Sequence, residues 1–549
     1  MLKLMCVVLS LVASSIPTMN GNGRLRQQDV SSSKIVLGSQ RIKSLSLGVE
    51  NGVTESESTV FSVSVKFEYP DFEFSDGDEY ATAKEIKEAK IAQGKDYYSS
   101  HNSELIEDID TSEMKNLYVS TYAPFFSFEI DSDCFQEQYE NLEYIASSES
   151  VEIIYVDETE RNEESVDNAK ITTGAKNLIY NYIASGKGVT IGLLELGIVD
   201  KNLSCFKYTD LTIRDEWYFI ETVSQHANDM ASIITGNYGI APVSKLLSVQ
   251  LSGEPSSEID WMLDRGVDVI NCSFGNSENK GKYNSTSAYM DYIVYTYGVV
   301  IVAAAGNNGK TDDLVENPGL GYNVITIGSN TGQYDESASL FSSCVTIDGP
   351  SKPDIMVPGE NIFVEGTNRT ISGTSPATAI ATGCIALLLE MRPEYIGYPQ
   401  LVKAVLCAGA RSKFEYFFDN IEETRGFGPM NVENAYNANS KLVSLSASGN
   451  STSFNGLLQK GSVIRGVICW LAKADGNVNN TIFHKVELDF VSEYGGTIKK
   501  FYDETRNDGL IEYRIPSTEN YYIRPVCKEY KNYDAKIGIA YYIYTLDNN

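Results

Sequence analysis

One uncharged stretch, residues 371–389, constrains the chain more than any other feature of its sequence. It begins Ile-Ser-Gly-Thr-Ser-Pro-Ala-Thr-Ala and carries no charged side chain before Glu390. Such a run predicts a helix that is buried on most sides and ends before Pro393. Because Pro376 suits the first helical position, the hydroxyl of Ser375 is expected at the positive end of this helix. That position favours a nucleophile whose attack creates an oxyanion, although an ordinary helix cap is the simpler interpretation.

Length and charge restrict the class of protein. The 549 residues predict roughly two to four domains, at least one with a large core. The formal net charge of −30 argues against nucleic-acid binding, because no basic face would outweigh it. Residues 1–20 combine one lysine, a short apolar stretch and small residues, which is typical of a signal peptide. No later apolar run approaches membrane-spanning length, so we expect a secreted, extracellular protein without a membrane span after signal removal. A membrane-anchoring or disordered N-terminus is the alternative.

Three regions with different sequence patterns follow. Residues 57–157 show the order strand, helix, strand, helix, strand, which predicts a small α+β unit. The charged, apolar-poor linker that follows, from about Glu158, is the kind of exposed segment where proteolytic nicking concentrates. In residues 165–440, apolar strands alternate with helices, which predicts an α/β domain with a parallel sheet covered on both faces. Residues 441–549 contain short strands between Gly, Asn and Asp clusters, which predict an antiparallel β-sandwich.

The middle region contains a single histidine, His226, at the start of a predicted helix. Any imidazole base that serves Ser375 should therefore be His226, although a lone histidine without such context is more often structural. Glu195 and Asn307 each follow a predicted strand directly, and parallel sheets bind ligands at the carboxyl ends of their strands. Glu195 and Asn307 are therefore expected where a ligand of the sheet would lie.

Four segments of the chain, taken in order, resemble the subtilisin-like serine peptidase family. They correspond to its carboxylate, histidine, oxyanion-asparagine and serine signatures, and they are residues 186–198, 225–231, 302–307 and 352–375. The resemblance implies a secreted serine endopeptidase that is made as a zymogen and acts on polypeptides. It also implies that the N-terminal unit is the protein's own inhibitory propeptide, removed near residues 158–171, and that the C-terminal sandwich is an accessory domain.

The same resemblance assigns roles to individual residues. Ser375 would attack the peptide carbonyl, and His226 would take the serine proton and pass it to the leaving amine. Asn307 and the backbone N–H of Ser375 would hold the oxyanion. Two short segments would bind the substrate, one as an edge strand and one as a pocket wall: Ser273, Phe274 and Gly275, and Ala304, Ala305 and Gly306. Their side chains indicate an apolar-to-mixed pocket.

The chain departs from the family where the family has aspartate, because it has Glu195 there. A glutamate can orient an imidazole and balance its charge, but it is one methylene longer, and catalytic geometry tolerates only about 0.5 Å of misplacement. Two interpretations stay open: a working Ser-His-Glu triad, or a catalytically impaired pseudoenzyme that keeps the fold as a binding or regulatory module. Asp229, three residues after the histidine, could perturb His226 or coordinate locally, but the simpler expectation is a solvated or capping residue.

The remaining signals are weaker. No calcium-loop spacing or Cys-x-x-Cys pair is present, so no cofactor is evident. Calcium is common in the family, but the sequence places no ligand for it. Cys469 and Cys527 could form a disulfide within the C-terminal region, and Asn271 of an Asn-x-Ser site is expected to be buried. The tyrosine-rich end of the chain, residues 521–544, allows a third interpretation, an adhesion or carbohydrate-binding module.

Overall fold

The structure is a computed structural model of the chain. It describes residues 34–37, 60–68, 82–106, 109, 111, 114–131, 135–158, 169–214, 222–253, 255–276, 279–309, 311–332, 337–411, 426–445, 454–531, 533 and 535–545. The predicted signal peptide at residues 1–20 and most of the predicted cleavage linker therefore lie outside the described residues.

The N-terminal unit is a five-stranded sheet packed with helices. Its elements are β1 (Ile35–Leu37), β2 (Val60–Phe67), α1 (Ala83–Ile106), β3 (Lys115–Val119), β4 (Phe125–Asp131), α2 (Phe135–Ala146) and β5 (Val151–Glu158). The strand order is β1-β5-β2-β4-β3, and every neighbouring pair except β1–β5 is antiparallel. Val63, Val65 and Phe67 alternate along β2 and are buried together with Leu142 and Ile145 of α2.

The sequence pattern predicts that β2 buries only one face, but the structure buries the other face as well. Lys66 is only 4% exposed, and its Nζ lies 2.7 Å from a carboxylate oxygen of Glu152 and 3.0 Å from one of Asp475. Asp475 belongs to the C-terminal region, so a distant part of the chain covers this face. A lysine can occupy the buried position because two carboxylates neutralise its charge.

The middle domain is built on a seven-stranded sheet whose neighbouring strands are all parallel. Its strands are β6 (Thr190–Glu195), β7 (Asp210–Ile213), β8 (Lys245–Gln250), β9 (Val269–Cys272), β10 (Val300–Ala304), β11 (Ile325–Asn330) and β12 (Ile355–Pro358). They follow the order β12-β11-β10-β9-β6-β8-β7. The short edge strands β7 and β12 were not predicted, because neither forms a long apolar run. A two-stranded antiparallel hairpin, β13 (Ile362–Val364) and β14 (Arg369–Ile371), precedes the serine helix.

Helices cover both faces of this sheet. They are α3 (Ala169–Thr172), α4 (Ala175–Tyr182), α5 (Gln225–Thr235), α6 (Ser256–Leu263), α7 (Ser285–Tyr297), α8 (Thr374–Met391), α9 (Pro399–Gly409) and α10 (Val432–Asn437). Side chains of β6 alternate between two cores: Ile191 and Leu193 pack on the side of α5 and α8, and Leu194 packs on the side of α6 and α7. The predicted α/β class, with helices on both faces of a parallel sheet, is confirmed.

Helix α8 is the central core helix of this domain. It is long and apolar enough to cross a membrane by length and composition, but 89% of it is buried inside the protein. It packs against β9, β10, β11 and β12 and against α5. The predicted end of the helix before Pro393 is confirmed, since α8 ends at Met391.

The N-terminal unit docks on α6 and α7 through buried polar contacts. A carboxylate oxygen of Asp260 accepts hydrogen bonds from the hydroxyl of Tyr118 at 2.6 Å and the N–H of Thr121 at 2.8 Å. The buried Lys87 lies 2.9 Å from the carboxylate of Asp268, at the start of β9. Buried polar atoms cost free energy when they lose their partners, so these contacts fix one docking geometry.

The C-terminal region is an antiparallel sandwich of two four-stranded sheets. Its strands are β15 (Asn439–Ser444), β16 (Phe454–Leu458), β17 (Ser462–Trp470), β18 (Lys485–Ser492), β19 (Gly496–Phe501), β20 (Asp508–Arg514), β21 (Glu519–Glu529) and β22 (Lys536–Thr545). The sheets have the orders β15-β22-β17-β20 and β16-β21-β18-β19. The predicted sandwich is confirmed. Cys469 and Cys527 both carry free thiols.

The sandwich is continuous with the middle domain. Helix α9 packs against β17 and β22, so Val467, Cys469 and Ala540 of the sandwich belong to the same core as α8. The tyrosines that suggest a binding module are partly used in packing: Tyr521 is buried and stacks on Phe490 at 5.2 Å between ring centroids.

Candidate active site

The predicted catalytic carboxylate and histidine lie in direct contact. Glu195 is the last residue of β6, and its Oε2 lies 2.8 Å from Nδ1 of His226. The two residues are only 1% and 4% exposed, respectively. Because a carboxylate only accepts hydrogen bonds, this contact favours a proton on Nδ1 and leaves Nε2 as the basic nitrogen.

Local structure explains how His226 is held. It is the second residue of α5, and the hydroxyl of Ser224 caps that helix by accepting a hydrogen bond from the N–H of Ala227. In the same helix, Oδ1 of Asn228 accepts the N–H of Asp200 at 2.7 Å, which ties α5 to the loop after β6. The imidazole is therefore fixed between a strand end and a capped helix.

The extra methylene of Glu195 is accommodated at this site. One carboxylate oxygen reaches the imidazole at hydrogen-bond distance, while Oε1 is buried and accepts no hydrogen bond within the part of the chain that the structure describes. Among the described residues, His226 is thus the one hydrogen-bond partner of this carboxylate.

Ser375 is the second residue of α8, and two hydrogen bonds join it to Ser273, directly after β9. Its Oγ donates to the carbonyl oxygen of Ser273 at 2.7 Å, and the hydroxyl of Ser273 donates back to the carbonyl oxygen of Ser375 at 2.8 Å. The buried side chain of Asn271 donates to the Ser273 hydroxyl at 2.9 Å and accepts from Thr382 at 3.0 Å. Asn271 is buried, as predicted, and it ties β9 to α8.

The structure does not bring Oγ of Ser375 into a hydrogen bond with His226, because that hydroxyl is directed at Ser273. The two groups are nevertheless held by neighbouring strands. Ser273 follows β9 and Glu195 ends β6, and these strands pair directly, so their axes lie about 4.8 Å apart. Catalytic hydrogen bonds are often formed only when substrate is bound.

Asn307 lies beside the first turn of α8. Its Oδ1 accepts hydrogen bonds from the N–H of Thr374 at 2.9 Å and from the Thr374 hydroxyl at 3.1 Å. This fixes the orientation of the amide, so Nδ2 of the exposed side chain is the group that can donate to a ligand. The N–H of Ser375 has no acceptor within its helix, because it belongs to the first turn. Two donors for an oxyanion therefore stand at the helix start.

The two predicted substrate segments follow neighbouring strands, β9 and β10. Ser273–Gly275 forms no strand pairing within the described residues, and Asn276 forms an isolated bridge to Asn317. Ala304–Gly306 is buried. The role of the two segments in binding substrate stays a prediction.

Sequence reasoning missed Glu316, which adds a carboxylate to the predicted apolar-to-mixed pocket. A Cβ atom built on Gly275 would lie 2.0 Å from Oε2 of Glu316, and one built on Gly306 would lie 2.9 Å from its Cγ. The side chain therefore touches both substrate segments. Burial raises the pKa of this carboxyl group. No pattern in the sequence predicts Glu316 at this place, because it lies in a loop and reaches the pocket only in the folded chain.

The expectation that Asp229 is a solvated or capping residue is wrong. Asp229 is buried, and its Oδ2 lies 2.8 Å from Nη1 of Arg369 in β14. It also accepts from Gln225 at 3.1 Å. The ion pair joins α5 to the hairpin that precedes the serine helix, which gives Asp229 a structural role.

The described residues contain no group of three or more His, Cys, Asp or Glu side chains that could hold a metal ion. The calcium expectation thus gains no ligand from the described part of the chain.

A parallel sheet covered on both faces, with a carboxylate–histidine pair and a helix-borne serine at its carboxyl edge, defines the architecture of a subtilisin-like serine peptidase. Residues 186–455 match the model of the subtilase family. Serine protease AprX from Bacillus subtilis (strain 168) is 28% identical over 320 residues, covering 49% of this chain and 71% of AprX. Subtilisin E from the same organism is 29% identical over 237 residues, covering 38% of this chain and 58% of that protein.

The middle domain of the chain belongs to the subtilase family, and the protein is a subtilisin-like serine peptidase. Among solved structures, that of the prenylagaramide maturation protease PagA is 28% identical with a TM-score of 0.40, and the match covers 48% of this chain and 97% of PagA.

Proposed function

We propose that the chain is a secreted serine endopeptidase, made as a zymogen, that cleaves polypeptides with a Ser375–His226–Glu195 triad. The observation that carries this proposal is the 2.8 Å contact between His226 Nδ1 and Glu195 Oε2. The replacement of aspartate by glutamate is the feature that put the triad in doubt. A glutamate that reaches the imidazole supports the working triad over the pseudoenzyme alternative.

The mechanism follows from these contacts. Oγ of Ser375 leaves the carbonyl of Ser273, gives its proton to Nε2 of His226 and attacks the substrate carbonyl carbon. Glu195 stabilises the imidazolium that forms. Nδ2 of Asn307 and the N–H of Ser375 hold the negative oxygen of the tetrahedral intermediate.

The intermediate collapses when the imidazolium gives its proton to the leaving amine, and the acyl group stays on Ser375. Water then attacks the acyl carbonyl while His226 takes its proton, and the serine hydroxyl is restored when the acid product leaves.

The zymogen part of the proposal is supported by the docked N-terminal unit. Buried contacts from Tyr118 and Lys87 to Asp260 and Asp268 hold the unit on the middle domain. A propeptide that assists folding and inhibits the enzyme requires such a specific interface. Secretion rests on the sequence of residues 1–20 alone.

The proposal is tested with the purified full chain, casein and a serine-directed phosphonate probe. We expect cleavage in the linker after Glu158, hydrolysis of casein, and label on Ser375. Ser375→Ala should stay uncleaved and unlabelled, and His226→Ala should be labelled far more slowly. If removal of the N-terminal unit by an added protease yields neither hydrolysis nor label, the proposal is wrong.

Secretion has a separate test. The Ser375→Ala chain, which cannot cleave its own linker, should begin near residue 20 when it is recovered from the culture medium, whereas retention of the chain with residues 1–20 in the cells would contradict this part of the proposal.

A further inference from the structure

The carboxylate of Glu316 lies between the two segments proposed to bind the substrate, of which residues 304–306 would wall the pocket for the residue before the cleaved bond. The backbone N–H of Glu316 donates a hydrogen bond to the carbonyl oxygen of Ala305, in the pocket wall, at 2.9 Å. The next residue, Asn317, accepts from the N–H of Asn276 at 2.9 Å, just after the other segment. Backbone contacts on both sides therefore fix this side chain at the pocket.

The carboxylate is only partly satisfied by the protein. Oε1 accepts a hydrogen bond from Nδ2 of Asn308 at 2.7 Å. Within the described residues, Oε2 accepts none, and Glu316 forms no ion pair. The charge of Lys280 acts on Glu316, but its Nζ donates a hydrogen bond to Oδ1 of Asn308 at 2.8 Å.

A half-buried anion without a direct counter-ion favours a ligand that supplies one. Burial strengthens the electrostatic attraction between a carboxylate and a cation, because fewer water molecules screen it. The side chains of lysine and arginine reach several ångströms beyond Cβ and carry their charge at the tip. Such a side chain fits a pocket with small walls and a carboxylate at one side.

We propose that Glu316 is the specificity-determining residue of this site and selects substrates with lysine or arginine immediately before the cleaved bond. This inference rests on the proposed peptidase activity. It names the substrate class that the sequence left open.

The test uses quenched fluorescent peptides that differ only in the residue before the cleaved bond: arginine, lysine, glutamine, leucine or phenylalanine. For the native enzyme, kcat/KM should be at least about tenfold higher with arginine or lysine than with leucine. Glu316→Gln keeps the shape of the side chain and removes the charge. It should lower kcat/KM for arginine and lysine roughly 10- to 100-fold and change the leucine peptide by less than about threefold.

A matched control distinguishes a direct ion pair between Glu316 and the substrate from the electrostatic potential of all the negative charges near the site. Asp312 is a nearby, more exposed carboxylate whose Oδ1 accepts from Leu314 at 3.1 Å. Asp312→Asn removes one negative charge without changing the pocket, and it should leave the preference intact. The leucine peptide and the melting temperature report whether Glu316→Gln has folded.

Three outcomes are decisive. A native enzyme that cleaves leucine or phenylalanine peptides best, with no change in Glu316→Gln, overturns the inference but leaves the peptidase proposal standing. Equal losses of kcat/KM for the arginine and lysine peptides in Glu316→Gln and Asp312→Asn also overturn the inference, because the negative potential near the site would then explain the preference. If no peptide is cleaved and the phosphonate does not label Ser375, the proposed function fails, and this inference fails with it.

Discussion

Glu195 reaches His226 with one methylene more than the aspartate of the family, and the 2.8 Å contact implies that the surrounding backbone has adjusted to that length. Glu195→Asp should therefore lower kcat, because it withdraws the carboxylate by about 1 Å, and such a misplacement can cost roughly 10²-fold. Glu195→Gln keeps the length but loses the charge that stabilises the imidazolium, and it should lower kcat by about 10⁴-fold. Steady-state hydrolysis of one peptide by the three enzymes checks this.

The melting temperature of each variant is the control that shows whether the variant has folded. A large gain in activity for Glu195→Asp would contradict the prediction and show that the native carboxylate is badly placed.

Asn307 is predicted to act on the transition state more than on substrate binding. Asn307→Ala removes the Nδ2 donor, and the recorded cost of losing this donor in a subtilisin is about 10²–10³-fold in kcat. It also removes the acceptor for the Thr374 N–H. We expect a loss in kcat with KM changed by less than about threefold, measured by initial rates over a range of substrate concentrations. A change confined to KM would contradict the assignment.

For individual residues, the sequence predicted those of the site that lie at strand ends and helix starts, and it missed Glu316, which lies in a loop. Glu195, Asn307, His226 and Ser375 lie at such positions, since parallel strands end at one edge of a sheet, and the resemblance to the family assigned their roles. Glu316 lies in a loop without periodic pattern, so its place against Gly275 depends on tertiary structure. The direction of the Ser375 hydroxyl depends on a rotamer, which no sequence pattern specifies.

Helix α6 carries Asp260, a buried carboxyl group that contacts the N-terminal unit and makes the stability of the fold depend on pH. Burial raises the pKa of Asp260 to about 6, although Tyr118, Ser120 and Thr121 donate to it and lower the value. A carboxyl group whose pKa is raised in the folded state binds its proton more tightly there than in the unfolded chain. Its contribution to stability is therefore complete below about pH 4 and is lost as the pH rises through about 6.

Asp260→Asn should flatten the pH dependence of stability by on the order of 2–3 kcal/mol between pH 4 and pH 7. The measurement is the urea dependence of unfolding at several pH values, with both chains carrying Ser375→Ala so that no self-cleavage occurs. At each pH, the chain with native Asp260 serves as the control. Parallel pH profiles for the two chains would contradict the prediction.

The elements themselves were largely predictable where hydrophobic periodicity was strong. Strand β10 and helices α5, α7 and α8 follow from apolar runs and helical spacing. Strand β2 shows the limit of that method. Its Lys66 has the pattern of a solvent-facing residue, yet Asp475 of the C-terminal region covers it, and only the tertiary structure brings that carboxylate to the sheet.

For the whole molecule, the boundary near residue 440 separates two sequence patterns but not two cores. Helix α9 lies under the sandwich sheet that contains β17 and β22, so apolar side chains cross the boundary. Arg465 of β17 is buried and donates to the carbonyl oxygens of Cys407 at 3.1 Å and Phe427 at 2.6 Å. A change of pattern in a sequence marks a change of architecture, whereas independence also requires that few contacts cross the boundary.

The junction is held by charges that water does not reach, and this leads to a prediction for the whole chain. Nζ of Lys403 in α9 lies 2.7 Å from Asp354 of the middle domain and 2.8 Å from Asp508 of the sandwich. Burial alone would raise the pKa of Asp508, but Arg506 and Lys403 hold it well below its usual range. Lys403→Met would leave buried carboxylates without this partner, so it should lower the unfolding free energy by about 3–5 kcal/mol.

The matched control is Lys500→Met, because Lys500 also contacts two carboxylates, of Glu487 at 2.7 Å and Asp489 at 3.3 Å, but its side chain is 51% exposed. Water screens that interaction, so its loss should lower the free energy of unfolding far less than the loss of Lys403 does. Urea unfolding of both variants in the Ser375→Ala chain gives the comparison. Since Lys403 contacts both regions, its loss should also weaken the coupling between them, so that the middle domain and the sandwich unfold in separate steps. Equal and small effects of the two substitutions would show that the junction is held by its apolar contacts alone.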